Sequence, residues 1–353
     1  MSIIFAILMF SVLIFVHELG HFMTAKLFGV QVNEFSMFMG PAIWKKQVGE
    51  TLYAIRCIPF GGYCAMEGED EDTDNPRSFQ KADWWKRVII LVAGSFMNLL
   101  TGIIIYCFLF LPESQIVEPA IVEFTECCTF NTEDGLRLDD VILEIDGEKV
   151  YSNADISTLL SFSPDGVHDL LIERDGEKLR FEDFAMTHLH ENEDGTTYRH
   201  YGFAFGKAVE ASLGQRMKFV WNTCLDNIRM VRLSLQMLFT GQAGLQDMSG
   251  PVGIVSQMSE IAEQSETAKL AFLNLLSVCA FIAINLAVMN LLPIPALDGG
   301  WVVALLITTV IEKVIGRKID SKYEGYIHGA GMILLLGLMA FIMFKDIFVL
   351  MKG

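Results

Sequence analysis

Basic residues are scarce in this chain, which has 26 Lys and Arg against 43 Asp and Glu and a formal net charge of −17. The acidity is concentrated between Pro112 and Ala211, where 7 basic residues stand against 23 acidic ones. An acidic surface repels nucleic-acid phosphates, so we expect no nucleic-acid partner. Because 52% of the residues are nevertheless apolar, the composition indicates membrane spans combined with a separate polar domain.

The N-terminal apolar segment lacks the features of a removable signal peptide. It has no basic start and no small-residue cleavage site, so we expect it to be retained as a membrane span. Paired cysteine spacings are also missing. The seven cysteines therefore predict neither a disulfide framework nor a cysteine metal site, and the adjacent Cys127 and Cys128 have no explanation from the sequence.

Four apolar segments are long enough to cross a bilayer core, which requires about 20 helical residues. They are residues 1–27, 87–111, 271–311 and 329–350. The expected fold class is a polytopic α-helical membrane protein with four transmembrane helices.

The distribution of Lys and Arg predicts the orientation of these helices. Basic residues occur in residues 28–86 and just before the last apolar segment, whereas residues 112–132 and 246–266 contain none. The positive-inside rule then places both termini and the acidic insert outside the membrane. The late part of the first helix then lies in the cytoplasmic half of the bilayer.

The acidic insert, residues 112–211, predicts a small mixed domain at about 118–185. Short apolar and polar runs separated by Asp-Gly pairs indicate strands joined by tight turns, and residues 152–161 indicate a helix. Residues 212–245 combine basic and apolar side chains. They predict an amphipathic helix that lies either on the membrane surface or against the protein itself.

Residues 48–66 combine strand-forming side chains with Pro59, Gly61 and Gly62. In water such a segment is an ordinary β-hairpin. At membrane depth it is alternatively a re-entrant β element, which is permitted where protein or water covers the backbone. The sequence leaves both interpretations open.

The first apolar segment contains one cluster of ionisable side chains, His17, Glu18 and His21. Ionisable groups in a bilayer-length helix are costly and mark functional sites. Histidines four positions apart lie on one helix face and can bind the same metal ion, with the glutamate close to the same water. A chance match is the alternative, but it would leave three polar groups in hydrocarbon without a function. We therefore predict a zinc hydrolase site with Glu18 as the catalytic acid and base.

A hydrolytic zinc site requires three protein ligands and an open position for water. The second apolar segment contains no acid, the last contains only Asp346 near its outer end, and residues 271–311 contain one carboxylate, Asp298. Asp298 is therefore the predicted third ligand, and its alternative role is that of a helix cap.

Pro293 and Pro295 interrupt the helix before Asp298 and free backbone groups there. This interruption could accommodate an extended substrate strand. Asn290 could hydrogen-bond such a strand, and a polar contact between two helices is an equally good interpretation of this residue.

Several motifs together resemble the site-2 protease family of intramembrane zinc metalloproteases, especially its bacterial branch of regulator-of-sigma-factor proteases. The resemblance extends over nearly the whole chain. Its motifs are His17-Glu18-Leu19-Gly20-His21, IPFGGY at 58–63, Gly94-x-x-x-Asn98, Gly250-Pro251-Val252-Gly253-Ile254 and Asn290-x-x-Pro293-x-Pro295-x-x-Asp298-Gly299.

The resemblance implies that His17, His21 and Asp298 hold one zinc ion per chain and that Glu18 is the catalytic acid/base. It implies a re-entrant β sheet at 48–66 that pairs with unwound substrate. The substrate-binding residues expected from it are Asn290, Pro293, Pro295, Ile58, Pro59, Phe60, Gly61 and Gly62.

The implied activity is regulated intramembrane proteolysis in a bacterial plasma membrane. Its substrates are single-span membrane proteins already cleaved outside, such as anti-sigma factors, and remnant signal peptides. The insert is expected to be a single extracytoplasmic PDZ domain. A rival hypothesis from another class is a non-catalytic membrane receptor with a structural zinc ion and a peptide-sensing outer domain.

The chain departs from the common family pattern at three places. Ser95 replaces a proline, Trp301 replaces a histidine, and Asp139 stands where the PDZ turn usually has glycine. The first two positions are not predicted ligands, whereas the third leaves open whether the PDZ-like domain binds peptide.

Overall fold

The computed structural model describes residues 2–69, 73–125, 135–162, 166–186, 188–191, 197–241, 244, 250–316 and 322–352. The chain forms two compact units, residues 1–105 with 230–353 and residues 106–229. Cys127 and Cys128 lie outside the described residues.

Eight α-helices lie in the described part of the chain: α1 (Ser2–Leu27), α2 (Trp84–Phe110), α3 (Asn153–Ser161), α4 (Leu213–Thr240), α5 (Pro251–Gln264), α6 (Ala268–Asn290), α7 (Asp298–Ile315) and α8 (Lys322–Lys352). Four segments of them are long and apolar enough to cross a membrane: Ile4–Leu27, Trp84–Phe110, Ala268–Asn290 and Gly325–Phe348. The prediction of four candidate spans is thus confirmed.

The apolar segment predicted at 271–311 is divided into two helices. The first, α6, ends at Asn290, and α7 starts at Asp298. Pro293 and Pro295 lie in the intervening stretch, where proline cannot donate the backbone hydrogen bond that continues a helix. The predicted interruption is therefore confirmed, and it places Asp298 in the first turn of a new helix.

Two long antiparallel strands, β1 (Val32–Val48) and β2 (Thr51–Met66), form a hairpin with its turn at Gly49 and Glu50. The segment predicted at 48–66 therefore contains one full strand and the turn, and the partner strand was not predicted. Gly40 and Pro41 interrupt the alternating pattern of β1, and the pairing shifts register around them. Such irregularities are typical of β-bulges, which hide a strand from pattern analysis.

Two apolar clusters pack along α1. Around its first half, Met9 and Leu13 meet Met258 of α5 and Leu275 of α6. Around its end, Ala25 packs with residues that include Phe35, Met66 and Ile90 of β1, β2 and α2. His17 and His21 lie in sequence between these two clusters, on the part of α1 that α2 and the hairpin hold in place.

The second unit is built on an antiparallel sheet with strand order β10-β3-β4-β6-β7, and β5 pairs with β4. Strands β8 and β9 pair antiparallel in a separate two-stranded sheet. The strands are β3 (Gln115–Phe124), β4 (Val141–Ile145), β5 (Glu148–Lys149), β6 (Val167–Arg174), β7 (Glu177–Ala185), β8 (His188–Glu191), β9 (Thr197–His200) and β10 (Phe203–Glu210). The sheet thus extends beyond the predicted limits of 118–185, because β10 pairs with β3 at its edge.

The turns of this sheet follow the sequence prediction. Asp146-Gly147 and Asp175-Gly176 have positive φ at both residues, as two-residue hairpin turns require. Asp139 also has a positive φ, of 68°. The turn that lacks the expected glycine is therefore formed by aspartate, one of the few side chains that tolerate this backbone region.

Candidate active site

His17, His21 and Asp298 meet inside the first unit. The Nε2 atom of His17 lies 3.3 Å from Oδ2 of Asp298, and Nε2 of His21 lies 3.6 Å from the same oxygen. The two Nε2 atoms are 3.2 Å apart. Asp298, which follows His21 by 277 residues in the sequence, thus forms one compact triangle with the two histidines.

The triangle has the dimensions of one face of a tetrahedral metal site. Ligand atoms bound to zinc at about 2.0 to 2.1 Å are separated by about 3.4 Å when the geometry is tetrahedral. Oδ2 of Asp298 is buried and has no hydrogen-bond donor in the described part of the chain. Two imidazoles and an orphan carboxylate oxygen at these distances fit a divalent cation such as zinc.

The backbone of α2 fixes the ring of His21. Nδ1 of His21 lies 2.8 Å from the carbonyl oxygen of Ile90, so the protonated Nδ1 donates to this carbonyl. The lone pair of Nε2 then faces Asp298 and is available to a metal ion.

Asn98 supports His17 from the same helix. Its side-chain nitrogen lies 3.5 Å from Nδ1 of His17, while its Oδ1 is buried without a partner in the described residues. Rotation of the amide by 180° exchanges the two atoms and lets Oδ1 accept a hydrogen bond from Nδ1. In that arrangement His17 also directs the lone pair of Nε2 toward the triangle.

Glycines allow α1 and α2 to approach closely at the site. A Cβ on Gly20 would lie 2.4 Å from the carbonyl oxygen of Ala93, and a Cβ on Gly94 would lie 2.4 Å from Nε2 of His21. Any larger side chain at Gly94 would therefore occupy the space of the imidazoles.

The two glycines after Asp298 likewise let the start of α7 lie close against the stretch that follows α6. A Cβ on Gly299 would lie 2.2 Å from the carbonyl oxygen of Leu291, and one on Gly300 would lie 2.2 Å from that of Ile294. The chain therefore turns back tightly after α6, and this turn brings Asp298 to the histidines.

Glu18 lies beside the triangle in a cavity of about 380 Å³. The lining includes His17, His21 and Asp298, together with residues 63–66 of β2 and Trp301 of α7. Cys64 lines the same cavity and brings its backbone next to the Glu18 carboxylate. A triangle of candidate metal ligands, a neighbouring carboxylate and a cavity are the components that a hydrolytic site requires.

The predicted substrate-binding residues lie outside the lining of this cavity. Asn290, Pro293 and Pro295 belong to the end of α6 and the stretch after it, and Ile58–Gly62 belong to β2. Gly62 approaches the site, since a Cβ there would lie 3.6 Å from Cγ of Glu18. The cavity wall on the β2 side is instead formed by Tyr63 to Met66.

Asp346, the other acid considered from the sequence, has a structural contact. Its Oδ2 accepts hydrogen bonds from the backbone nitrogens of Gly250 and Gly253, at 2.9 and 3.0 Å. It therefore caps the start of α5 and is not part of the metal triangle.

The family profile of peptidase family M50 matches residues 5–338. The chain belongs to peptidase family M50. This membership confirms the family that the sequence motifs resemble.

Relatives of this M50 peptidase match over almost its full length. Proteins of Clostridium perfringens and Fusobacterium nucleatum, both named "Putative zinc metalloprotease", are 34% and 33% identical, and each alignment covers 98% of both chains. The "Regulator of sigma-W protease RasP" of Bacillus subtilis is 26% identical, again over 98% of both chains.

Sequence reasoning did not identify the groups that hold the candidate ligands of this M50 peptidase. These are the Ile90 carbonyl and the side chain of Asn98. Every residue has a carbonyl group, so the sequence does not show which one binds a histidine. The Gly94-x-x-x-Asn98 motif, by contrast, is recognisable in the sequence and could have been assigned to contact the histidines.

Proposed function

We propose that this M50 peptidase is a zinc-dependent intramembrane endopeptidase that cleaves single-span membrane proteins. The observation that carries the proposal is the triangle of His17, His21 and Asp298 on a candidate membrane span, beside a cavity that also contains Glu18. The zinc in the names of the Clostridium and Fusobacterium relatives supports the choice of metal.

In this proposal His17, His21 and Asp298 hold one zinc ion per chain. When bound, zinc supplies a Lewis acid that polarises the scissile carbonyl and makes water more acidic. The Ile90 carbonyl orients His21, and Asn98 orients His17.

Glu18 acts as the general base and then as the general acid. Its carboxylate takes the proton of the attacking water and later delivers it to the amine of the leaving peptide. Glu18 lines the same cavity as the three candidate ligands, so one carboxylate is in place both to accept the proton and to deliver it.

The substrate is a transmembrane segment that has to become extended before its backbone can be attacked. Strand addition to the β1–β2 hairpin provides backbone partners for such a segment. We assign this role to Ile58, Pro59, Phe60, Gly61 and Gly62, with Asn290, Pro293 and Pro295 on the opposite side. The hairpin is then a re-entrant element of a multi-pass bacterial plasma-membrane protein.

Cleavage takes place after an earlier cut outside the membrane, and the second unit acts as a PDZ-like domain on that side. Both termini share the extracytoplasmic side, as the distribution of Lys and Arg indicates. The name of the Bacillus subtilis relative, which mentions sigma-W, supports substrates of the anti-sigma-factor type. Remnant signal peptides are a second substrate class.

The test uses the full chain reconstituted in liposomes with a single-span peptide that has a short outer end. Wild-type protein is expected to cleave the peptide, whereas Glu18→Gln is expected to bind zinc equally well and lose at least about 1,000-fold in turnover. Glu260→Gln, an exposed position on α5, is the matched control and should retain full turnover. An inert wild type saturated with zinc would favour a structural metal and contradict the proposal.

A further inference from the structure

Ala296, two residues before Asp298, has an unusual backbone. Its φ is +80°, a region that residues with a Cβ rarely adopt. The stretch between α6 and α7 is therefore not held in place by local preference alone. Contacts from elsewhere in the fold have to keep it in this conformation.

One such contact comes from His328 of α8. The Ala296 amide donates a hydrogen bond to Nδ1 of His328, with a nitrogen-to-nitrogen distance of 3.0 Å. Since Nδ1 accepts this bond, the neutral His328 ring carries its proton on Nε2. Its side chain is buried, so water does not compete for the amide.

The His328 ring also contacts a residue that follows Asp298 in the sequence. It stacks on the indole of Trp301 with ring centroids 3.6 Å apart and an angle of 2° between the planes. His328 thus contacts the chain two residues before Asp298 and three residues after it. Trp301 lines the active-site cavity, whereas His328 does not.

Gly331, three residues after His328 on α8, packs against the same stretch between α6 and α7. A Cβ on Gly331 would lie 2.4 Å from Cβ of Pro295 and 2.7 Å from its carbonyl oxygen. Residues three apart lie on one face of a helix. One face of α8 therefore supports the Pro295-Ala296 backbone directly, by packing at Gly331 and by a hydrogen bond at His328.

We propose that His328 is a positioning residue for the metal ligand Asp298. It does so by accepting the Ala296 amide, and this hydrogen bond holds the start of α7 where the Asp298 carboxylate reaches His17 and His21. The stack on Trp301 aligns the imidazole for this bond. This inference rests on the proposed function, because it concerns the metal that the triangle would hold.

Two substitutions separate the effect of the hydrogen bond from the effect of ring stacking. His328→Phe keeps an aromatic face for Trp301 and removes the acceptor, whereas His328→Asn places an amide oxygen close to the position of Nδ1 and removes the ring. Tyr326→Phe, at an exposed position on the same helix, is the control. Zinc affinity is measured by chelator competition on metal-free full-length protein in detergent.

We expect His328→Phe to raise the zinc Kd about 10- to 100-fold, the range found when support of a metal ligand is lost. His328→Asn and Tyr326→Phe should stay within about threefold of wild type. A His328→Phe Kd within threefold of wild type would overturn the inference, as would equal losses in His328→Phe and His328→Asn. If the wild type itself bound no zinc, the proposed function would fail instead.

A second measurement needs no variant. Hydrogen exchange of the folded wild type should show strong protection of the Ala296 amide, since its partner is a buried imidazole. Rapid exchange of this amide in otherwise protected protein would contradict the proposed support by His328, even if the variants did not fold.

Discussion

Gly94 of α2 faces His21 of α1 so closely that a Cβ on the glycine would lie 2.4 Å from Nε2 of the histidine. The same Cβ would lie 2.7 Å from Cε1 of His17. The two helices therefore meet at the candidate metal site, and the absence of a side chain at one residue makes room for both imidazoles.

Gly94→Ala is expected to weaken zinc binding, because the added methyl group displaces one or both imidazoles. We expect the zinc Kd to rise at least about tenfold, measured by chelator competition on purified protein. Gly337→Ala is the matched control, since a Cβ there meets nothing within 4 Å. Equal zinc affinity in both variants would show that the close approach of α1 and α2 has no bearing on the site.

Arg56→Met is expected to impair turnover without changing zinc affinity. The Arg56 guanidinium donates to Oε1 of Glu34 and to the hydroxyl of Tyr63, at 2.5 and 2.6 Å, and Tyr63 lines the cavity. Methionine keeps the apolar stem but leaves the partly buried Glu34 without this partner.

We expect kcat/KM of Arg56→Met on the reconstituted peptide to fall roughly tenfold, equivalent to about 1.4 kcal/mol. Zinc Kd should remain within about twofold of wild type. A loss of zinc in this variant would mean that the hairpin supports the metal ligands and not the substrate.

Asp226→Asn is expected to change how stability depends on pH in the second unit. Asp155 and Asp226 both contact the same Nη2 atom of Arg229, at 2.6 and 2.7 Å. Burial, together with the neighbouring Asp155 carboxylate, raises the pKa of Asp226 to about 7. The pKa of Asp155 is lowered by its hydrogen bonds and by Arg229, against the effect of its burial.

In the unfolded chain an aspartate titrates near about 3.9. Between that value and about 7 the native state holds a proton on Asp226 that the unfolded state has lost, so stability falls as pH rises through this window. Asp226→Asn should match the wild-type unfolding temperature at about pH 4, and its advantage over the wild type should grow up to about pH 8, measured by calorimetry. The same difference at both pH values would contradict the assignment.

The local part of the site could be predicted from the sequence. His17 and His21 are four residues apart in one helix, so their common face follows from helix geometry. Asp298 followed from the absence of other acids in the apolar segments, and the two prolines correctly predicted that a helix would end before it.

The supporting contacts could not be predicted, because they depend on how helices pack. The Ile90 carbonyl has no side-chain signature, and His328 reaches Ala296 only after α8 packs against the stretch between α6 and α7. Strand β1 was missed because Gly40 and Pro41 break its alternation, and β10 because its partner β3 is distant in sequence.

The central claim is that His17, His21 and Asp298 hold one catalytic zinc ion, and zinc X-ray absorption of the purified full chain tests it most directly. Wild-type protein should contain one zinc per chain with nitrogen and oxygen ligands at about 2.0 to 2.2 Å and no sulfur, and Asp298→Ala should lose most of the metal. Zinc retained with an unchanged spectrum in Asp298→Ala, or a sulfur ligand near about 2.3 Å in the wild type, would contradict the claim.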